Sequence, residues 1–218
     1  MRGPVRCGPV TAPFPAATAG SGGWLRSQRL GGPAGGTIRL VAEDSTVLVG
    51  RLVRLRPPEL TDVTAMLRAA RPGGHVGSSS PQEVDELTRL VEHRPTLASD
   101  GFWRLVVDHR GSLVGDIQAR ATRNAFPRGV CEIGVTVFPE ARGRGFGSAA
   151  VALLTARLHA DGWPRVQAST AVSNHRMRRV LVGCGYLDEG VLRGYAPVGE
   201  VTREDYVMYA SVADHQPA

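Results

Sequence analysis

A glycine-rich loop is the part of this sequence best suited to chemistry. It spans Arg142–Gly147 and reads Arg-Gly-Arg-Gly-Phe-Gly, with glycine at alternate positions. Glycine lets successive amides turn toward one point and leaves no side chain in a ligand's way. A helix that begins here would add unpaired N–H groups and the positive end of its dipole. The spacing therefore predicts an anion site suited to phosphate.

Two known kinds of phosphate-binding loop do not fit. A dinucleotide fold needs G-x-G-x-x-G early in a βαβ unit, with an acidic residue about twenty residues later. Here the glycine spacing differs and the loop comes late in the chain. A nucleoside-triphosphate loop needs G-x-x-x-x-G-K-[ST]. The sequence contains no lysine, which excludes that loop.

The segments on either side of the loop predict a strand and a helix. The strand is Val130–Phe138. One of its faces would carry Cys131, Ile133, Val135 and Val137, and the other Val130, Glu132, Gly134 and Thr136. After the loop, apolar residues at helical spacing run from Phe146 to Leu158 and stop at Asp161-Gly162.

The remaining elements mix strands with helices. Extended patterns predict strands at 47–55, 102–107, 113–119, 166–170, 186–193 and 206–211. Helical spacing predicts helices from Leu60 to Ala70, after the cap Ser80-Pro81, and after the cap Asn174. Local hairpins beside one strand–loop–helix unit indicate an α+β or α/β domain.

The chain divides into a tail and one domain. Gly, Pro, Ala and Ser dominate the first part of the sequence, which has no acidic residue before Glu43. Such a segment buries too little apolar surface to offset its ordering entropy. We therefore expect a disordered tail at 1–45, a folded domain at 46–212 and a short flexible end at 213–218. The tail resembles an organellar transit peptide only weakly, so a dispensable tail or an upstream start codon is the favoured interpretation.

Composition limits the other classes of function. The net charge of +6 comes from arginine, which G- and C-rich codons also favour. With 6% aromatic residues and no recognisable motif, nucleic-acid binding ranks last. Three unpaired cysteines suit a reducing cytoplasm, and no apolar run is long enough to span a membrane. The histidines lack ligand spacing, so no metal is expected.

The loop and its neighbours together resemble one family. Arg142, Gly145 and Gly147 fill the pattern R-x-x-G-x-G, which resembles the acyl-coenzyme A motif of the GNAT superfamily of N-acetyltransferases. Glu132–Val135 resembles its central strand. Asn174, followed eleven residues later by Gly185-Tyr186, resembles its last helix and the strand entry after it.

The resemblance covers 47–210 and is closest to the branch that acetylates ribosomal-protein N-termini. It implies a central, mostly antiparallel, twisted sheet of six to seven strands flanked by about four helices. It also implies acetyl-coenzyme A as co-substrate. The implied coenzyme contacts are the backbones of Val135 and Val137, the side chain of Asn174, and the loop amides of Arg142, Gly143, Arg144, Gly145, Phe146 and Gly147.

The same resemblance implies transfer of acetyl to an amine within a ternary complex. Glu132 would act as base through water, with a structural carboxylate as the equal alternative. The family's usual acid positions hold Met177 and Leu181, which donate no proton. Cys184, water or an unassisted thiolate would serve instead. A non-catalytic acyl-coenzyme A module is the alternative function.

The sequence says less about the acceptor substrate and the oligomeric state. The acceptor, a protein N-terminus or a small amine, would be selected by the loops 71–80 and 193–203. His75 lies in the first of these loops and would either touch the acceptor or belong to a flexible surface loop, and the surface loop is the favoured interpretation. Arg176, Arg178 and Arg179 would either reach the coenzyme phosphates or form a solvated helix face. A monomer or a homodimer is expected.

Overall fold

The computed structural model describes residues 47–69, 81–122, 129–198 and 202–213. The helices are α1 (Val63–Ala69), α2 (Pro81–His93), α3 (Leu97–Asp100), α4 (Phe146–Ala160) and α5 (His175–Gly183). The strands are β1 (Leu48–Val49), β2 (Arg54–Arg56), β3 (Phe102–His109), β4 (Ser112–Ala121), β5 (Val130–Val137), β6 (Arg165–Ala171), β7 (Leu187–Val198) and β8 (Thr202–Val212). Short 3₁₀ turns lie at Leu60–Asp62 and Pro139–Ala141.

All eight strands form one sheet in the order β1-β2-β3-β4-β5-β6-β8-β7. Every described pairing is antiparallel except β5 with β6. The expected α+β fold with a mostly antiparallel sheet is therefore confirmed. Four helices of seven or more residues accompany the sheet, and α3 adds a single turn.

The sheet has one strand more than expected because 47–55 is not a single strand. The chain turns back at Gly50, whose N–H donates to the Val53 carbonyl at 2.9 Å. Leu48 then lies opposite Leu55, and both side chains are fully buried. The apolar alternation continues through the turn, so the pattern alone gave no sign of the reversal.

Helices cover both faces of the sheet. Leu105 and Val107 of β3 point to the face packed against α4, while Val106 points to the opposite face and joins a second core. That second core holds Val63 and Met66 of α1 and Leu87 and Val91 of α2. We call these the α4 face and the α1/α2 face. Helix α5 lies beside α4, with Leu181 fully buried in the larger core.

Several sequence-based boundaries lie outside the described residues. These are the tail 1–45, the whole loop 71–80 with His75 and the cap Ser80, and the end of the chain after Ala213. The expected loop 193–203 is mostly strand, because β7 extends to Val198 and β8 begins at Thr202. In the described part of the chain, no helix is long and apolar enough to cross a membrane.

Candidate functional site

The parallel strands β5 and β6 separate part-way along their length. They pair from Val130 with Arg165 to Glu132 with Gln167, and β5 pairs only with β4 beyond that point. Strand β6 instead continues beside β8 as far as Ala171. The edge of β5 from Ile133 to Val137 therefore faces an open gap between two strands of the sheet.

A cleft of 750 Å³ fills this gap, a volume within the range of small-ligand sites. Its walls come from β5, the glycine loop, the start of α4 and the first turns of α5. The lining residues that the sequence had singled out as coenzyme contacts are Val135, Val137, Arg142, Gly143, Gly145, Phe146, Gly147 and Asn174. Residues far apart in the sequence, from Val135 to Asn174, thus line one cleft.

The loop presents a set of unpaired amides to this cleft. Gly143 and Gly145 adopt left-handed backbones with φ of 76° and 81°, and Gly145 caps α4 without a side-chain hydrogen bond. The N–H groups of 143–148 donate to no acceptor among the described residues, whereas Ala149 donates to Gly145. Helix N-termini leave such donors free, and the α4 dipole reinforces their positive charge. This arrangement is of the kind that suits an anion.

The two loop arginines differ in placement. The Arg142 side chain lines the cleft, and its Nε donates to the Val137 carbonyl at 3.1 Å. That carbonyl keeps a second lone pair for a ligand. Arg144 lies outside the cleft lining, with its guanidinium 4.9 Å from the centre of the Phe146 ring. Arg144 can therefore contribute its backbone amide, while its charge lies over an aromatic face.

The β1–β2 turn supports the loop from behind. The Leu52 side chain lies 3.5 Å from the position a Cβ of Gly145 would take. The Leu52 carbonyl contacts Nδ1 of His109 at 2.8 Å, and the His109 ring lies 4.7 Å from that of Phe146. Sequence analysis missed both supports, since they depend on contacts between distant segments.

Asn174 joins the end of β6 to α5 at the cleft wall. Its Oδ1 accepts from the Met177 N–H and its Nδ2 donates to the Thr170 hydroxyl, each at 3.1 Å. The amide still has one free N–H and one free lone pair. Arg176 and Arg179 of α5 line the cleft as well. Arg178 does not, because it donates to the Tyr209 hydroxyl and the Val172 carbonyl.

Of the residues considered as a general acid, Met177 and Leu181 are apolar and Cys184 is already hydrogen-bonded. Met177 lines the cleft, and Leu181 is fully buried. Cys184 lies outside the lining and directs its S–H to the Ser148 carbonyl at 3.4 Å. Burial raises the pKa of this thiol. Ser148 and Thr136, which sequence analysis did not consider as donors, also line the cleft.

Glu132 lies on the other side of the sheet. Its side chain faces a second cleft of 500 Å³ on the α1/α2 face, together with Asp100, Phe102 and Arg120. Glu132 is half-buried and has no hydrogen bond or ion pair with any described residue. It is the last β5 residue paired with β6, and the larger cleft begins three residues further along β5, at Val135. No group of three or more metal-binding side chains occurs among the described residues.

Comparison with known proteins agrees with this geometry. The family model described as acetyltransferase (GNAT) domain matches residues 52–187, more than half of the chain. No curated sequence gives a significant match.

Solved structures share the fold. RimJ of Mycobacterium smegmatis, in complex with a coenzyme A disulfide, is 24% identical over 76% of this chain and 84% of its own, with a TM-score of 0.62. The microcin C7 self-immunity acetyltransferase MccE, in complex with acetyl-CoA and AMP, is 16% identical over 75% and 93%, with a TM-score of 0.62.

A third structure, the ribosomal-protein-S5-alanine acetyltransferase of Vibrio fischeri, is 18% identical over 78% of this chain and 99% of its own, with a TM-score of 0.61. At these identities the similarity establishes the fold, and the family model establishes descent. The chain therefore belongs to the GNAT acetyltransferase family, whose members transfer acetyl groups.

Proposed function

We propose that this protein transfers the acetyl group of acetyl-coenzyme A to a primary amine, by direct attack within a ternary complex. The observation that carries the proposal is the arrangement of two clefts along β5, one at its free edge and one at Glu132, the last residue paired with β6. One cleft offers unpaired amides to an anion, and the other offers an unpaired carboxylate. A donor and an acceptor could enter from opposite faces of the sheet and meet at the gap.

The larger cleft would hold the coenzyme. The pantetheine arm would pair with the free edge of β5 at Val135 and Val137, as an added strand does. The amides of Arg142–Gly147 would hold the pyrophosphate, and Asn174 would bind near the pantetheine arm. Arg176 and Arg179, which line the same cleft, would contact further phosphate oxygens.

The chemical step would take place at the end of the β5–β6 pairing. The amine nitrogen attacks the thioester carbonyl carbon, a C–N bond forms, and the C–S bond breaks. The leaving sulfur takes the electron pair as coenzyme A thiolate. A backbone N–H of β5 would stabilise the oxyanion that forms during attack.

Glu132 would receive the proton that the amine loses. Three residues of strand separate it from Val135, or about 10 Å. That separation suits proton transfer through an intervening water better than direct contact. The thiolate would leave without help from a side chain at positions 177 and 181, because Met177 and Leu181 carry no acidic proton.

A second candidate, a non-catalytic acyl-coenzyme A module, is favoured by those same two residues. Calorimetry with acetyl-coenzyme A tests the shared part of both functions, and we expect micromolar binding. A lack of binding would reject both. Release of free thiol over a panel of amines and N-terminal peptides then separates the enzyme from the module, since only the enzyme consumes acetyl-coenzyme A.

A further inference from the structure

The smaller cleft contains two opposite charges that lie close together without pairing. Arg120 of β4 stands directly opposite Glu132 of β5, on the same face of the sheet. Directly opposed residues place their Cβ atoms about 5 Å apart. Arg120 nevertheless forms no ion pair with a described residue, and its guanidinium lies 5.9 Å from the centre of the Phe102 ring. Glu132 has no polar partner in the described part of the chain either.

A neighbouring pair on the same face behaves differently. Arg104 of β3 reaches diagonally to Asp116 of β4 and forms an ion pair at 3.1 Å. The sheet geometry therefore allows such pairs, even between residues that are not directly opposed. An exposed ion pair contributes at most about 1 kcal/mol, so leaving Arg120 and Glu132 apart costs little. Their separation keeps a cation and a carboxylate available to a ligand.

A third polar group lies one row further along the face. The Gln118 side chain lies over Gly134, with Nε2 3.2 Å from the position a Cβ of Gly134 would take. Its amide has no hydrogen-bond partner among the described residues. Gly134 follows Glu132 on the same face, at the start of the open β5 edge. The hydrogen-bond donors Arg120 and Gln118 on β4 thus lie beside the Glu132 carboxylate on β5, close to the point where β5 and β6 separate.

We propose that the acceptor carries its reactive amine next to a carbonyl or carboxylate carbon, and that Arg120 recognises this oxygen-bearing group. This rests on the proposed function. The amine lies toward Glu132, while Arg120 and Gln118 donate to the neighbouring oxygen. Either an amino acid or a peptide N-terminus supplies this chemistry. A polyamine does not, because it offers only cations and Arg120 repels them.

The test compares two acceptors that differ in the carbonyl. The full chain with acetyl-coenzyme A is given alaninamide or sec-butylamine at equal concentrations of unprotonated amine, and thiol release is followed. We expect kcat/KM to be about tenfold higher for alaninamide, the size of one charge-assisted hydrogen bond. A comparison of alanine with a peptide that begins with alanine distinguishes a free amino acid from a peptide N-terminus as the acceptor. Spermidine tests whether a polyamine is accepted.

Substitutions of Arg120 test whether this residue causes the preference for alaninamide. Arg120→Gln should raise KM for alaninamide about tenfold and leave sec-butylamine unchanged, with partial recovery in Arg120→Lys. Arg89→Gln, on the exposed side of α2, is the matched control.

Equal rates with both amines, a preference for spermidine, or an equal loss on both amines in Arg120→Gln would overturn the inference while leaving acetyl transfer intact. Coenzyme binding with no acceptor acetylated would contradict the enzyme proposal as well, and absent coenzyme binding would contradict the coenzyme site itself.

Discussion

The glycines of the loop are important because they carry no side chain and can adopt a left-handed backbone. Gly143 and Gly145 adopt a left-handed backbone that L side chains rarely adopt, and a Cβ at Gly145 would lie against Leu52 behind the loop. A Cβ at Gly147 would lie 3.3 Å from the Val137 side chain, on the edge of the same cleft. The proposed anion binding therefore depends on the backbone amides of the loop and not on its side chains.

Gly145→Glu should abolish coenzyme binding. Its Cβ would lie against Leu52 behind the loop, and the flexible side chain would bring a negative charge next to the loop amides. This charge would repel the pyrophosphate, so we expect affinity to fall at least about a hundredfold, or about 2.8 kcal/mol. Calorimetry measures this directly. Gly111→Glu is the matched control, because Gly111 has the same left-handed backbone at φ 83° in the β3–β4 turn, away from the cleft. Retained affinity in Gly145→Glu would mean that the loop does not hold the pyrophosphate.

Glu132→Gln should slow turnover while coenzyme affinity stays unchanged. A primary amine is mostly protonated at low pH, so loss of a base matters most there and least where free amine is abundant. We expect kcat to fall about a hundredfold at pH 6 and far less at pH 9. Glu86→Gln on exposed α2 is the control. If the Glu132→Gln and control rates agree at pH 6, Glu132 is a structural carboxylate.

At the scale of elements, the cleft depends on how α4 and α5 are held beside the separated strands. The Tyr186 hydroxyl lies 2.6 Å from the Thr155 hydroxyl, and this buried contact joins α4 to the chain that follows α5. Burial raises the pKa of Tyr186, so the phenol stays protonated and able to donate. Asn174 performs the equivalent task at the other end of α5 through its cap.

Two substitutions should separate the capping role of Asn174 from its role in binding. Asn174→Asp keeps an oxygen acceptor for the Met177 N–H, so stability should hold, but it loses the free N–H that would bind near the pantetheine arm, and coenzyme affinity should fall. Asn174→Ala loses the cap, which should cost about 1 kcal/mol and lower Tm by about 3 °C. Thermal melts and calorimetry measure the two effects. Unchanged coenzyme affinity in Asn174→Asp would mean that the Asn174 amide does not bind the coenzyme.

At the scale of the molecule, an ion-pair network ties the start of the domain to the sheet. Asp108 of β3 accepts from Arg54 at 3.3 Å and Arg56 at 3.5 Å, and Arg56 also pairs with Asp62 at 2.7 Å. Burial tends to raise the pKa of Asp108, but the Gly111 N–H and the two arginines outweigh it and hold that pKa below 3.8. The network fixes β2 against β3, and β2 directly follows the turn behind the glycine loop.

Asp108→Asn should lower the free energy of unfolding by about 2 kcal/mol at pH 7, because two guanidinium groups lose a charged partner. The native pKa of Asp108 is depressed, so its stabilising effect is present above the unfolded value and is lost as pH falls through the native one. Urea unfolding at pH 7 and below pH 4 checks this. A difference between wild type and variant that stays constant across that range would exclude the charge as its source.

The sequence by itself determined the elements and the anion loop. Turn residues and apolar period are local properties, so the helix after the loop, the Asn174 cap and the β3–β4 hairpin could be predicted to within a few residues. The order of the motifs was enough to predict the α+β fold and the family.

Only the tertiary structure decided which residues face each other. The reversal at Gly50, the separation of β5 from β6, and the placement of Glu132 opposite Arg120 all depend on strand register. Register is set by contacts between segments far apart in the chain, and no local pattern encodes it. For the same reason the sequence could name the loop proposed to bind phosphate, whereas the proposed acceptor side of the site appeared only when β4 and β5 were paired.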